Sequence, residues 1–282
     1  MAVVSPAGPC EPGVYRAGVA ILASRYKIVH GGAPAEPCER LPYLAAEDAH
    51  RAEDLNRALA DPAVAAVFFA RGGYGSVRIL EALDADALRR RRLPLVGFSD
   101  VTVLHAWAAR QGVPSIHGPV ISQLSRLPAA DLGALFALLE GGALPRCEGL
   151  RPVTGGAARG PLWGGNLTMI ASLCGTGLLP DLTGRLLLLE EVNEAPYRLD
   201  RLLTQLRLAG LLAEVAGVVV GQLLDDEALL AELLEDHLGD LKVPVVFGAR
   251  VGHGDENLAL PLGYEAVLDA DQGTLKFTGL GA

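Results

Sequence analysis

The sequence predicts an α/β protein with two domains, each built around a β-sheet. Half of the 282 residues are apolar and a fifth are charged, which is enough apolar material for a sizeable core. Short apolar runs alternate with helical patterns, which indicates βαβ units and a mainly parallel sheet in the first half. Prolines and glycines interrupt the pattern in the middle. We therefore expect an N-terminal domain at 1–125, a linker with one helix at 126–155 and a C-terminal domain at 156–282.

The first half is expected to alternate strands with helices. The run Val64 to Phe69 is almost continuously apolar, as in a strand buried on both faces of a parallel sheet. Ligands of such sheets bind beyond the carboxyl ends of the strands. The further predicted strands are Val3–Val4, Tyr26 to Val29 and Leu95 to Gly97, and the predicted helices are Val14 to Ser24, Leu44 to Ala60, a helix from about Ser76, and Val101 to Arg110.

The second half is expected to contain a further sheet. The linker helix is predicted at about Ala129 to Glu140. The predicted strands are Arg185 to Leu189, Gly217 to Val220, Val243 to Phe247, Glu265 to Leu268 and Thr274 to Phe277, and the predicted helices lie near Asn166–Cys174, Tyr197–Ala209 and Glu227–Leu238.

Charge and cysteine content restrict the class of function. The net charge is −9 and no basic stripe is present, which argues against nucleic acid as a partner. No apolar run reaches the roughly 18–20 residues that span a membrane. The four cysteines lack C-x-x-C spacing and a histidine at zinc-site spacing, so we expect free thiols, no metal site and a cytoplasmic location.

Ser99 is the first candidate catalytic residue. It lies in Gly97-Phe98-Ser99-Asp100, at a predicted junction of strand and helix. A serine on such a turn presents its hydroxyl above the sheet edge, and the N–H of Asp100 points into the same space, where it could stabilise an oxyanion. The alternative is that Ser99 or Asp100 is only a helix N-cap.

A glycine-rich loop follows the buried strand at Arg71-Gly72-Gly73-Tyr74-Gly75. Glycines allow backbone N–H groups to approach a ligand closely, so the loop could line an oxyanion hole or hold an anion. Arg71 could bind a substrate carboxylate. The alternatives are a tight turn and an arginine that only fixes the loop. The P-loop lysine and the G-x-G-x-x-G spacing are both missing, which weakens a nucleotide-binding interpretation.

A histidine and a pair of glutamates complete the candidates. His253 lies between two glycines in a predicted loop, where an imidazole can act as a general base; an exposed residue without function is the alternative. Glu190 and Glu191 end a strongly apolar strand, and alternation sends them to opposite faces. At most one of them can therefore orient a catalytic imidazole, and the other possibility is helix capping.

Taken together, these segments resemble the LD-carboxypeptidase family, which includes murein tetrapeptide carboxypeptidases and peptidases that give immunity to microcin-type peptide–nucleotide antibiotics. The resemblance covers nearly the whole chain. It rests on the order and spacing of Ser5-Pro6, Arg71–Gly75, Gly97–Asp100, His117-Gly118-Pro119, Gly164-Gly165-Asn166-Leu167, Glu190 through Arg201, Gly252-His253-Gly254 and Leu260-Pro261-Leu262-Gly263.

The resemblance implies a flavodoxin-like N-terminal domain, a barrel-like mixed C-terminal domain, a site between them and a homodimer without a cofactor. It implies a triad of Ser99, Glu190 and His253. The family commonly has Asp where this chain has Glu191, so the choice between the two glutamates stays open. It also implies an oxyanion hole formed by the N–H groups of Asp100 and Gly73. The candidate substrate-binding residues are Arg71, Tyr74, Trp163 and Asn166.

The activity implied is hydrolysis of the L,D amide bond to a terminal D-alanine in cytoplasmic murein tetrapeptides, as part of peptidoglycan recycling. The nearest alternative is an immunity-type peptidase that cleaves peptidyl or aminoacyl nucleotide analogues, which aromatic stacking on Trp163 or a nearby residue would favour. An alternative of another class is a non-catalytic protein that binds an anion or a peptide.

Overall fold

A computed structural model describes residues 1–31 and 36–280 of the chain. The strands are β1 Ala2–Val4, β2 Val67–Phe69, β3 Leu95–Gly97, β4 Ser115–His117, β5 Arg146–Cys147, β6 Arg151–Thr154, β7 Ala157–Asn166, β8 Leu186–Glu190, β9 Gly217–Val220, β10 Val245–Phe247, β11 Leu260–Leu262, β12 Tyr264–Asp269 and β13 Thr274–Leu280. The α-helices are α1 Pro12–Ala23, α2 Asp48–Ala60, α3 Ala85–Arg91, α4 Thr102–Arg110, α5 Ile121–Leu124, α6 Ala129–Leu139, α7 Leu167–Ser172, α8 Pro196–Leu208 and α9 Glu227–Leu238, and 3₁₀ helices lie at Ser76–Ala82 and Ser99–Val101.

The first sheet has the strand order β1-β2-β3-β4-β11. Strands β1 to β4 are parallel, and every residue in them is buried, which explains the continuous apolar composition of β1, β2 and β3. The carboxyl ends of β2, β3 and β4 therefore meet at one edge of the sheet. The glycine-rich loop, Ser99 and His117 all lie at that edge.

The second sheet has the strand order β5-β13-β12-β7-β8-β9-β10-β6. Strands β7 to β10 are parallel, and antiparallel strands flank them on both sides. Strand β8 ends at Glu190, and the segment after β10 carries His253 before the chain enters β11. Strand β11 then pairs antiparallel with β4 of the first sheet, with Leu260 opposite His117. This pairing brings the two sheets together next to the edge that holds Ser99.

Helix α4 lies between the two sheets and is buried from Thr102 to Ala108. Its small residues permit close contact: Thr102 Oγ1 accepts a hydrogen bond from the Asn166 N–H at 2.9 Å. A Cβ on Gly165 would lie 2.5 Å from the same hydroxyl oxygen, so this position requires glycine. The helix that begins after Ser99 is thus fixed by contacts with both domains.

The predicted fold class is confirmed: a parallel sheet in the first half is followed by a mixed sheet in the second. The predicted strand at Tyr26 to Val29 is wrong, because only a single bridge between Ala2 and His30 forms there. Strand β7 was missed, because Gly160, Pro161, Gly164 and Gly165 are unusual in a strand. The boundaries at 1–125, 126–155 and 156–282 stay a prediction. In the described ranges, no helix is both long and apolar enough to cross a membrane.

Candidate active site

Ser99 lies in a sharp turn between β3 and α4. Phe98 is extended, whereas Ser99 has a φ of +63°, which is a left-handed conformation that residues with a side chain rarely adopt. Such a conformation costs about 1–2 kcal/mol, and residues that adopt it are often found at active sites. The side chain of Ser99 is half-buried. A Cβ on Gly97 would lie 3.0 Å from Phe69 and Val101, so the approach to the turn has little free space.

The glycine-rich loop packs directly against this serine. A Cβ on Gly72 would lie 2.8 Å from Ser99 Oγ and 3.5 Å from the backbone nitrogen of Asp100. The space next to the hydroxyl therefore exists because residue 72 lacks a side chain. Gly73 follows with a φ of +104°, and within residues 1–31 and 36–280 its N–H has no hydrogen-bond partner. Backbone donors can thus face the region above Ser99.

Two buried charged residues fix the position of this loop. The Asp100 carboxylate is 1% exposed and accepts a hydrogen bond from the Ser76 N–H at 2.9 Å. Burial raises the pKa of Asp100 above its usual range. The guanidinium of Arg51, also 1% exposed, donates to the carbonyls of Pro6 and Gly75. Arg51 thus joins the loop after β1 to the glycine-rich loop. This role of Arg51 could not be predicted, because nothing in the sequence pattern distinguishes it from a surface arginine of an amphipathic helix.

His253 and Glu190 form a hydrogen-bonded pair. The imidazole Nδ1 lies 2.8 Å from Glu190 Oε2, and the carboxylate is completely buried whereas the imidazole is 20% exposed. Burial alone would raise the pKa of Glu190, but the imidazoles of His117 and His253 outweigh it and hold this pKa below its usual range. Because the Glu190 carboxylate can only accept, a neutral His253 ring carries its proton on Nδ1. The Nε2 nitrogen is then the one that can accept a proton.

The ring of Phe98 connects this pair with Ser99. Its centroid lies 4.6 Å from that of the His253 ring, and Ser99 is the next residue along the chain. In the described ranges, no hydrogen bond joins Ser99 Oγ to His253. The imidazole is therefore adjacent to the serine turn without being bonded to the hydroxyl.

Glu191 has a separate set of contacts. Its carboxylate accepts hydrogen bonds from Asn166 Nδ2, the Thr168 N–H and the Val192 N–H, each at 2.9 Å. The Asn166 side chain also caps α7 by accepting from the Met169 N–H. Glu191 and Asn166 thus stabilise the start of α7. A contact of Asn166 with substrate stays a prediction. Of the two glutamates, only Glu190 contacts an imidazole.

Three buried polar residues hold the segment around His253. Gln123 Nε2 donates to the carbonyls of Gly252 and Gly254, on either side of the histidine. Asn257 accepts from the Gly252 N–H at 3.1 Å and donates to Gln123 Oε1 at 2.8 Å. Asp131 Oδ2 accepts from the Asn257 N–H at 3.0 Å. Gln123 and Asp131 come from α5 and α6, more than a hundred residues earlier, so no local sequence pattern could have revealed the network.

The remaining predicted site residues have different surroundings. Arg71 is exposed and donates to the carbonyl of Pro9 at 3.0 Å. Tyr74 is 45% exposed, and its ring lies 6.2 Å from that of Tyr43. Trp163 is only 1% exposed, and its indole nitrogen lies 3.5 Å from the His105 carbonyl. Arg71 and Tyr74 thus lie on the exposed side of the glycine-rich loop, and Trp163 lies inside the core.

Comparison with known proteins identifies the family of the chain. The LD-carboxypeptidase N-terminal domain matches residues 1–118, and the LD-carboxypeptidase C-terminal domain matches residues 159–268. A putative carboxypeptidase of Streptomyces coelicolor is 41% identical over 98% of this chain and 92% of its own length. The murein tetrapeptide carboxypeptidase of Pseudomonas aeruginosa is 34% identical over 96% of this chain and 94% of its own.

A solved structure is similar along the full length. The muramoyltetrapeptide carboxypeptidase from Oxalobacter formigenes superposes with a TM-score of 0.83 at 30% identity, and the match covers 100% of this chain and 99% of the other. The two domain matches together span most of the chain. The protein therefore belongs to the LD-carboxypeptidase family of serine peptidases.

Proposed function

We propose that this protein is a serine carboxypeptidase that removes the terminal D-alanine from murein tetrapeptides during cytoplasmic peptidoglycan recycling. The observation that carries the proposal is the buried Glu190–His253 pair, adjacent to a serine with positive φ at the carboxyl edge of a parallel sheet. Family membership and full-length relatives that carry murein tetrapeptide carboxypeptidase names support the choice of substrate.

In the proposed reaction, Ser99 Oγ attacks the carbonyl carbon of the L,D amide bond. His253 Nε2 accepts the hydroxyl proton and later gives it to the leaving amine of D-alanine, and water then releases the peptide from the serine. Glu190 keeps the proton of the neutral ring on Nδ1 and stabilises the imidazolium. The N–H groups of Asp100 and Gly73 bind the oxyanion, and one such donor contributes about 3–4 kcal/mol in comparable sites.

The reaction requires His253 Nε2 to reach Ser99 Oγ. Catalytic hydrogen bonds of this kind are often long without substrate and shorten in the Michaelis complex. Gly252 and Gly254 flank the histidine, and the φ of Gly252 is +125°. These glycines permit backbone conformations on both sides of His253 that residues with a side chain rarely adopt.

The leaving group carries a free carboxylate, which needs a cationic or N–H donor. We propose Arg71 for this contact, because its exposed guanidinium projects from the loop that packs against Ser99. Tyr74, exposed on the same loop, is a second proposed contact. The buried ring of Trp163 has no open face for a nucleobase, so the stacking that would favour a nucleotide-linked substrate is not supported at this residue.

The test is release of free D-alanine from a purified tetrapeptide. We expect the wild-type protein to release D-alanine and to leave the same peptide with terminal L-alanine intact. Ser99→Ala should reduce release by at least about 10⁴-fold, whereas Ser172→Ala, which changes a hydroxyl on α7, should retain wild-type rates. Full turnover by Ser99→Ala, or no preference for D-alanine, would exclude the proposal.

A further inference from the structure

One oxygen of Glu190 lacks a donor. Oε2 is bonded to His253 Nδ1, but Oε1 has no hydrogen-bond partner in the described part of the chain, although the carboxylate is completely buried. Buried carboxylate oxygens are normally satisfied, because an unmade hydrogen bond leaves the desolvation of the charge uncompensated. A second donor to Glu190 is therefore expected.

His117 is the group nearest to supplying it. Its Nε2 lies 3.9 Å from Glu190 Oε1, and the imidazole is completely buried. Neither nitrogen of His117 has a partner among the described residues. A buried acceptor and a buried donor thus face each other, both unsatisfied, at about 1 Å beyond a normal hydrogen bond.

The backbone and the neighbouring rings limit where the His117 ring can go. His117 ends β4 between Gly97 of β3 and Leu260 of β11, so its backbone is held on both sides. The edge of Phe98 packs on the ring, with centroids 5.9 Å apart. Phe98 thus contacts both imidazoles that flank Glu190. The strand pairing and the Phe98 ring thus restrict the position of the His117 ring next to the carboxylate.

His105, on the other side of His117, does not compete for the carboxylate. Its Nε2 lies 2.8 Å from the Gly97 carbonyl, which can only accept, so Nε2 carries the proton. Complete burial lowers the pKa of His105 to about 3, so this ring stays neutral. The titratable groups around His117 are therefore Glu190, His105 and, beyond Glu190, His253.

We propose that His117 is a positioning residue that donates from Nε2–H to Glu190 Oε1, so that two imidazoles hold the catalytic carboxylate between them. This inference deepens the proposed function and relies on its triad. With Oε1 held by His117, the carboxylate plane is fixed and Oε2 is directed to His253. A shift of about 1 Å between β4 and β8 completes the bond.

The proposal has a consequence for proton binding with a defined sign. A donor on Oε1 reduces the proton affinity of the Glu190–His253 pair, whether the proton resides on the imidazole or on the carboxylate. Without that donor, the pair takes up its first proton at higher pH. Since protonation inactivates the base, the acid limb of kcat/KM then also moves to higher pH.

The test compares His117→Met with His117→Gln. Both side chains fill much of the space of the imidazole, but only glutamine has an N–H donor near the place of Nε2. We expect His117→Met to lower kcat for D-alanine release about ten- to hundredfold with little change in KM, and to move the acid limb up by about one pH unit. His117→Gln should restore most of kcat and the wild-type limb. If His117→Met does not fold, His117→Asn, which is too short to reach Glu190, replaces it.

A second readout does not depend on turnover. NMR titration of the ¹⁵N-labelled His253 ring measures proton uptake by the pair in each variant. An upward shift in His117→Met, reversed in His117→Gln, supports the proposal even if the wild-type protein releases no D-alanine. If the His253 ring takes up its proton at the same pH in all three proteins, the proposed role of His117 is overturned. The proposed function is then tested by Ser99→Ala alone. An equal loss of kcat in both variants, with the acid limb of kcat/KM unchanged, would also overturn the role of His117. That result is expected if His117 only fills space in the core.

Discussion

His253 Nδ1 and Glu190 Oε2 lie 2.8 Å apart, although 62 residues separate them in the chain and the carboxylate has no access to solvent. This hydrogen-bonded pair joins the end of a central strand of the second sheet to the segment that returns to the first sheet. Glu190 contacts the imidazole, whereas Glu191 contacts the start of α7. Substitutions of the two glutamates should therefore have different effects.

Glu190→Gln should reduce kcat about 10³- to 10⁴-fold, because the amide can donate to Nδ1 and favour the wrong tautomer. Glu191→Gln should retain most of the activity and instead lower the free energy of unfolding by about 1–2 kcal/mol, since it weakens the capping of α7. Steady-state kinetics and urea unfolding of both variants check this assignment. A large loss of activity in Glu191→Gln alone would reverse it.

Asn257→Ala should lower kcat by about tenfold or more and reduce the free energy of unfolding by about 1–3 kcal/mol. The substitution leaves the Gly252 N–H and Gln123 Oε1 unpaired in the interior, and it loosens the segment that carries His253. Asn56→Ala is the matched control, because Asn56 makes exposed contacts with Ala82 and Asp84. Wild-type kcat in Asn257→Ala would show that the network does not position the histidine.

Ser99→Gly should be more stable than Ser99→Ala by about 1 kcal/mol, and both should be inactive. Glycine tolerates the φ of +63°, whereas alanine keeps the Cβ that makes this conformation unfavourable. Arg92 is the control position, because it has a φ of +48° at the end of α3. Arg92→Gly should be more stable than Arg92→Ala by a similar amount, and both variants should be fully active. Thermal and urea unfolding measure both pairs. Equal stability of Ser99→Gly and Ser99→Ala would argue against strain at the serine.

Burial of His105 should make the folded state less stable in acid. Its pKa is lowered to about 3 in the folded state, and an unfolded histidine has a pKa of about 6.5. Between these values the unfolded chain binds the additional proton, so stability falls as pH decreases, by up to about 1.4 kcal/mol per pH unit.

His105→Gln keeps a donor for the Gly97 carbonyl and cannot titrate. The difference in unfolding free energy between this variant and the wild type, measured from pH 7 down to pH 5, isolates the contribution of His105. A constant difference across that range would contradict the assignment of a neutral, buried imidazole.

The sequence predicts the parts of this site that depend on local pattern. Ser99 after the short strand Leu95–Gly97 and the glycine loop after Val67–Phe69 follow from apolar runs that end in small residues. Strand alternation correctly sends Glu190 and Glu191 to different surroundings. Contacts between distant segments, such as Gln123 with Asn257, could not be predicted, because each residue alone is typical of an exposed helix or loop.

Strand β7 could not be predicted from local pattern. It contains glycines and a proline that local propensity disfavours, but the close packing of β8 and α4 against it requires residues without side chains. The same packing buries the ring of Trp163 beneath α4, and a contact of Trp163 with substrate stays a prediction. Propensity fails at β7 because tertiary contacts determine the outcome.

The most direct test of the central claim is mass-spectrometric mapping of the adduct formed with a fluorophosphonate serine probe. The account predicts one adduct, on Ser99, formed at a rate that falls by orders of magnitude in both His253→Asn and Glu190→Gln. An adduct on another residue, or labelling of Ser99 at an undiminished rate in His253→Asn, would show that the imidazole does not activate this hydroxyl.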